Sequence, residues 1–137
     1  MKIYLSTPVN ARSEKDFEAR KRGALLRCEA LRQRTREAFP DCQAVSPFDV
    51  NPIDEPVSEE EALGRCVTAL LECDALLLDT GWTKSKGCSL EFQAAEIYGK
   101  RVFCLTEGDE KIEEIKYFVK LGPNMLMNAN WKKIDTL

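Results

Sequence analysis

The chain contains no histidine. That removes Ser-His-Asp triads, Cys-His pairs, imidazole acid–base catalysis and zinc sites that need imidazole. Carboxylates are then the expected carriers of any proton chemistry. Three stand out by position. Asp74 and Asp79 flank the apolar run Ala75-Leu76-Leu77-Leu78, and Glu91 lies about one turn inside the helix expected next. Between Asp79 and Glu91 runs the richest stretch of the chain, Thr80-Gly81-Trp82-Thr83-Lys84-Ser85-Lys86-Gly87-Cys88-Ser89-Leu90. Ser85, Lys86, Gly87 and Ser89 put small donors and a cation where a loop turns into a helix. Free backbone N–H groups there favour a phosphate or carboxylate, and the same residues also suit simple helix capping.

The six cysteines, Cys28, Cys42, Cys66, Cys73, Cys88 and Cys104, contain no C-x-x-C pair. A zinc ribbon or thioredoxin-like motif is therefore not expected, and free thiols filling the core are. Cys88 sits where a helix N-terminus would lower a thiol pKa. The net charge of −3 and the interleaving of acids among the basic residues from Arg20 to Arg36 give no nucleic-acid footprint. No apolar run approaches the roughly 18 residues of a membrane span. The chain opens on a strand-like segment without a signal peptide, so a cytoplasmic protein of one domain, 1–137, is expected.

The elements that must position these residues alternate. Lys2 to Ser6 reads as a strand, stopped by Pro8. Ser13 to Phe39 is a helix with Phe17, Ala24, Leu25, Cys28, Leu31 and Ala38 on one side. Gln43 to Ser46 is a second strand, and Phe48 to Pro56 a loop. Ser58 caps a helix running to about Glu72, with three acids in its first turn. Asp74 to Asp79 is a strand apolar enough to be covered on both faces. A helix over Cys88 to Tyr98 ends at Gly99, and Arg101 to Leu105 is a fourth strand. Asp109 to Leu121 carries Ile112, Ile115, Phe118 and Val119 at helical spacing, and Trp131 to Ile134 reads as a last short strand.

Alternation of this kind predicts an α/β fold: a Rossmann-like, flavodoxin-like parallel sheet of four or five strands, order 2-1-3-4-5, with helices on both faces. In such a sheet, ligands bind between the carboxyl ends of strands 1 and 3, where the chain departs in opposite directions. The loop Ser6-Thr7-Pro8-Val9-Asn10-Ala11-Arg12 should therefore face the loop from Asp79 to Ser89. Asp79 falls at this end of strand 3 and Asp74 at the other. On the fourth helix Leu90, Ala94 and Ile97 form the expected core stripe, which leaves Glu91 on the flank toward the crevice.

Ile3-Tyr4-Leu5-Ser6-Thr7-Pro8, Cys73-Asp74-Ala75-Leu76-Leu77-Leu78, Gly81-Trp82-Thr83-Lys84-Ser85-Lys86-Gly87-Cys88-Ser89-Leu90-Glu91-Phe92 and Ala94-Ala95-Glu96-Ile97-Tyr98-Gly99-Lys100-Arg101-Val102 together resemble motif blocks of the nucleoside 2-deoxyribosyltransferase superfamily. They are most similar to a small bacterial and phage branch with a GWxxSxGxxLE signature. The resemblance implies cleavage of the N-glycosidic bond of a 2'-deoxynucleoside or its 5'-monophosphate, by hydrolysis or deoxyribosyl transfer. Glu91 would be the nucleophile, with no cofactor and no metal. It further implies that Tyr4 lies near the sugar or base and that Asp74 contacts the leaving base, with Asp79 the competitor on position alone. Ser85 would contact a phosphate.

Ser6, Thr7, Pro8, Gly81, Trp82, Lys86, Gly87 and Ser89 complete the expected substrate-binding set. Asn124 or Asn128 from a neighbouring copy joins it, because the relatives are often dimers or larger. Two departures weigh against the full parallel. Thr7 stands where a glycine is usual, and Ser85 where free-nucleoside transferases carry an acid. An alternative reading is a non-catalytic binder of a nucleotide or sugar phosphate. A flavin-binding flavodoxin, with Trp82 stacked on the ring, is disfavoured by the poor phosphate cradle after strand 1.

Overall fold

Short apolar runs form the inner strands of the central sheet. The computed structural model describes residues 1–9, 14–106, 108, 111–115, 118–122, 125–128 and 133–136. Within it, β1 (Lys2–Ser6), β2 (Gln43–Val45), β3 (Ala75–Leu78), β4 (Arg101–Leu105) and β5 (Ile112–Ile115) lie in the order β2-β1-β3-β4-β5. The first four are parallel and β5 is antiparallel to β4. Every residue of β3, and every residue of β1 after Lys2, is buried, as expected for strands covered on both faces.

Strand alternation assigns the side chains to two layers. Ile3, Leu5, Ala75, Leu77, Phe103 and Leu105 meet Leu31 of α1 (Glu14–Ala38) on one face. Tyr4, Leu76, Leu78, Val102 and Cys104 meet Leu70 of α3 (Glu59–Leu71) and Phe92 of α4 (Lys86–Ile97) on the other. The inner stripe of α1 is Ala24, Cys28, Leu31 and Thr35, a clean helical repeat. Ser58 caps α3 by accepting from the Glu61 N–H at 3.1 Å, as its sequence position suggests. No helix among the described residues is long and apolar enough to cross a membrane.

Four expectations are corrected. The helix expected over Asp109 to Leu121 is not formed. Ile112–Ile115 instead adds to the open edge of β4 as β5, and Phe118–Gly122 is a strand, β6. The apolar spacing there is helical, but tertiary pairing overrides it. The Thr106 N–H donates to the Lys111 carbonyl at 2.8 Å, Gly108 takes φ 89, and the chain folds back. Arg101 then pairs with Glu114 at 2.6 Å, and Ile115 is buried.

The last strand among the described residues is β8 (Lys133–Thr136), which overlaps the expected Trp131 to Ile134; residues 131 and 132 lie outside those described. β8 belongs to a separate antiparallel sheet, β6-β7-β8, in which β7 is Met125–Asn128. Residues at the start of the expected loop form a short helix, α2 (Pro47–Val50), closed by a capping box between Ser46 and Asp49.

The fourth correction concerns which side of α4 faces inward. Leu90 is 44% and Ile97 76% exposed, while Cys88, Glu91, Phe92 and Ala95 are buried. The buried set also has i, i+3, i+4, i+7 spacing, and it was hidden by the charge at its centre. Phe92→Ala is therefore expected to cost about 3–5 kcal/mol of unfolding free energy, whereas Leu90→Ala should change it by no more than about 0.5 kcal/mol. Denaturant titration of the two variants checks the assignment. Equal losses would contradict it.

Candidate active site

The site begins with the parity of β1. Residues two apart on a strand share a face, so Tyr4 and Ser6 both point toward α3 and α4. Ser6, last in the strand, is opposite Leu78 of β3, and its carbonyl accepts from the Asp79 N–H at 2.9 Å. Glu91 reaches the same place from the inner face of α4. Ser6 Oγ donates to Glu91 Oε1 at 2.9 Å across a buried gap. Tyr4 is fully buried, Ser6 likewise, and Glu91 is 5% exposed.

This carboxyl has no cationic partner among the groups that set its pKa. Burial pushes it up, and the Tyr4 and Ser6 hydroxyls pull it part of the way back, leaving it at about 7. Burial and the nearby Glu91 charge hold the Tyr4 phenol well above its usual 10.0. Although Tyr4 influences Glu91, neither its hydroxyl nor Glu91 Oε2 closes a hydrogen bond of good geometry, and both atoms are buried. A carboxyl balanced between its two forms near neutrality, with one oxygen held and one unpartnered, can act as a nucleophile or a proton donor. When ionised it can also stabilise a developing positive charge.

The other two acids lie elsewhere. Asp79 follows β3 one residue beyond Leu78, so strand parity sends it toward α1. There it accepts a bidentate pair from Arg27, with Nη2 at 2.8 Å and Nε at 2.9 Å, and it accepts from the Thr80 N–H at 2.7 Å. It is near the carboxyl end of the sheet, as expected, but tied to a guanidinium on the opposite layer from Glu91. Asp74 is exposed at the amino end of β3, where its Oδ2 accepts from the Lys2 N–H at 2.8 Å. The length of the strand separates it from Ser6 and Glu91. The expectation of Asp74 and Glu91 in one site is not met; Asp74 ties two strand starts together.

The two loops expected to face each other do so. A Cβ on Gly81 would lie 4.0 Å from Pro8 Cγ, and Gly81 takes φ 80, which favours glycine. Thr7 and Pro8 are half-buried beside it, and residues 10–13 of the same loop lie outside those described. Ser85 caps α4 by accepting from the Cys88 N–H at 3.2 Å. Lys86 is exposed, and Gly87 lies against Leu63 of α3, where a Cβ would make an ordinary contact at 3.6 Å. Ser89 is half-buried in the first turn.

Trp82 is not at an open crevice. It is 2% exposed and packs on Phe92 with ring centroids 4.9 Å apart. The Cys88 thiol is not activated by the helix end, since burial and the Glu91 charge push it up to about 12. Asn124 lies outside the described residues, and Asn128 ends β7. No group of three or more acidic or cysteine side chains among the described residues is placed to hold a metal ion.

Reading from sequence missed three residues. Arg27, the partner of Asp79, sits one helical turn before Leu31 on the inward flank of α1, a signal that spacing carried. Cys66 of α3 and Asn51 after α2 had none. The Cys66 thiol neighbours Tyr4 and accepts from Asn51 Nδ2 at 3.3 Å.

The family model described as Domain of unknown function (DUF4406) matches residues 1–104. Among solved structures, a conserved protein from Enterococcus faecalis V583 superposes with a TM-score of 0.57 at 17% identity, over 81% of this chain and 67% of that one. A 2-desoxiribosyltransferase from Leishmania mexicana superposes with a TM-score of 0.47 at 17% identity, over 82% and 77% of the two chains. No match is found among curated proteins.

The raised pKa of Glu91 has a consequence for stability. The fold favours the protonated form, so nothing is lost below the ordinary value of 4.5, and stability falls as pH rises from there through about 7. Glu91→Gln avoids this loss. It is expected to be more stable than the wild type above pH 7, by about 3 kcal/mol, with the two curves converging below pH 5. Unfolding titrations across this range test it, and parallel curves would show that the carboxyl is not raised.

Proposed function

The chain belongs to the DUF4406 family, and we propose that it cleaves the N-glycosidic bond of a 2'-deoxynucleoside or its 5'-monophosphate with Glu91 as the nucleophile. One observation carries this reading: a buried carboxyl without a cation, held by Ser6 Oγ at 2.9 Å at the carboxyl end of β1. The motif blocks that resemble the nucleoside 2-deoxyribosyltransferase superfamily include this glutamate.

The chemistry suits the geometry. As the bond from C1' to the base nitrogen breaks, positive charge builds on the sugar ring. A carboxylate in a water-poor pocket stabilises that charge more than it would in water. The electron pair leaves with the base, which takes up a proton, and the Glu91 oxygen bonds to C1'. Water or a second base then displaces the sugar, giving hydrolysis or transfer. Ser6 fixes the carboxylate rotamer and helps keep it ionised. Ser85 and Lys86, at the start of α4, are the residues that would meet a 5'-phosphate.

A second reading, a nucleotide or sugar-phosphate binder without turnover, is favoured by the closed seating of Glu91, which is only 5% exposed. Tight binding of a deoxynucleotide, unchanged by Glu91→Gln and without base release, would select it.

The deciding assay is release of free base from the four common deoxynucleosides and their 5'-monophosphates. Turnover by the wild type is expected, falling by about a thousandfold or more in Glu91→Gln. With ionised Glu91 the active form, kcat/KM should rise with pH through about 7. Ser6→Ala removes a hydrogen bond that lowers the Glu91 pKa, so it should move that rise to higher pH. No base released from any of the eight compounds would overturn the assignment.

A further inference from the structure

The Ser6 hydroxyl sits at the less supported end of β1. β2 pairs with that strand from Lys2 to Tyr4, whereas β3 pairs with it from Ile3 to Ser6, so at Ser6 the sheet holds the chain from the β3 side. Pro8, two residues on, has no N–H with which to continue a ladder. Strand ends open before strand centres do. The hydroxyl that donates to Glu91 Oε1 at 2.9 Å is therefore aimed only as firmly as this end of the backbone is held.

Asp79 supplies the hold, and every polar group it has is engaged. Its backbone N–H donates to the Ser6 carbonyl at 2.9 Å. Its own carbonyl accepts from the Trp82 N–H at 3.3 Å, and its Oδ1 accepts from the Thr80 N–H at 2.7 Å, which shapes the turn into Gly81. Arg27 of α1 closes the set, donating from Nη2 to Oδ1 at 2.8 Å and from Nε to Oδ2 at 2.9 Å. An ion pair this deep, with Asp79 3% exposed, adds little net stability over apolar residues of like volume. Two parallel N–H···O bonds do fix direction, which apolar packing does less well. The contacts run without a gap from Arg27 to Asp79, to Ser6 and to Glu91, and so pass from the α1 layer through the sheet to the α4 layer.

We infer that Asp79 is a positioning residue for Glu91: locked to α1 by Arg27, it holds the end of β1 so that the Ser6 hydroxyl stays on the Glu91 carboxyl. As a role in catalysis this rests on Glu91 being the nucleophile. As a role in the structure it does not, and the test reads the two separately.

The test follows the Glu91 carboxyl by carbon NMR through a pH titration of the full-length protein, with Ser6→Ala as the reference. Among the described residues, the titratable groups that feel Glu91 are Tyr4 of β1, Cys66 of α3 and Cys88 of α4, and none of them is substituted. The Ser6 hydroxyl favours the ionised carboxyl, so loosening it raises the midpoint. Asp79→Ala should therefore move it up from about 7, by roughly half a pH unit, toward that of Ser6→Ala. Direct action of the Asp79 charge predicts the opposite sign, since removing a negative charge makes a neighbouring carboxyl easier to ionise. Adding Asp79→Ala to Ser6→Ala should give no further rise. Arg27→Lys keeps the charge but loses the two-nitrogen fork, so it should shift the midpoint the same way by less, and it decides the matter if Asp79→Ala does not fold. In a base-release assay, Arg27→Lys should lower kcat by roughly tenfold with KM nearly unchanged. A merely structural pair would lower the unfolding midpoint and leave the Glu91 titration where it was. That result, a lowered Glu91 midpoint in Arg27→Lys, or a further rise in the double variant would overturn the role of Asp79. A raised midpoint in a protein that releases no base would uphold it and overturn the nucleoside reading alone.

Discussion

The hydrogen bond from Ser6 to Glu91 is the constraint around which the carboxyl end of this sheet is organised. It joins the last residue of β1 to the inner face of α4. A glutamate in that position has no reason to be buried on hydrophobic grounds, since burying a carboxyl is unfavourable unless it is neutralised or hydrogen-bonded. Both compensations are used in part. One oxygen is held by a hydroxyl, and the proton affinity rises to about 7. The free energy of packing Cys88, Phe92 and Ala95 on the same stripe holds the carboxyl in place. The surrounding core thus keeps an unfavourable group where it can react.

The sheet also separates two negative charges that would otherwise compete. Asp79 and Glu91 both lie near the carboxyl end, but strand parity sends Asp79 to the α1 layer and Tyr4 and Ser6 to the α4 layer. Asp79 is buried beside a guanidinium that meets it with two nitrogens, a geometry that keeps both its oxygens occupied. Glu91 is buried among hydroxyls and thiols. The two residues are of one chemical class, and the layer into which each points makes one structural and the other available.

Much of this was legible in the residues. The apolar run from Ala75 to Leu78 between two aspartates announces a doubly covered strand, and Ser58 with three following acids announces the start of α3. Together they yield the strand order and the position of the crevice. Parity could also have separated Asp79 from Glu91, since alternation along β3 is countable. Two of the misreadings have a tertiary cause. The edge of β4 offers unpaired backbone groups whose value appears only once the sheet exists, so Ile112 to Ile115 joins it despite helical spacing. The inward face of α4 is also a tertiary outcome. Two stripes of acceptable spacing exist, and the one carrying the charge is buried because β1 supplies a hydroxyl to receive it. A partner 85 residues away cannot be read from the helix itself.

The thiols around the site follow from the same burial. A helix N-terminus lowers a thiol pKa when the thiol is solvated and close to the free N–H groups. At Cys88 the backbone N–H donates to Ser85 Oγ, the side chain is buried and Glu91 lies nearby, and the last two outweigh the Ser6 and Ser85 hydroxyls that favour the thiolate. Cys66 is held neutral by burial and by the same carboxylate, and the Tyr4 phenol is raised as well. Around neutral pH, Glu91 is therefore the group of this cluster that changes charge. A second ionisable group of like sign would raise the carboxyl further and a cation would pin it ionised. A neutral surround does neither, and it leaves a single negative oxygen to face whatever positive charge a ligand develops.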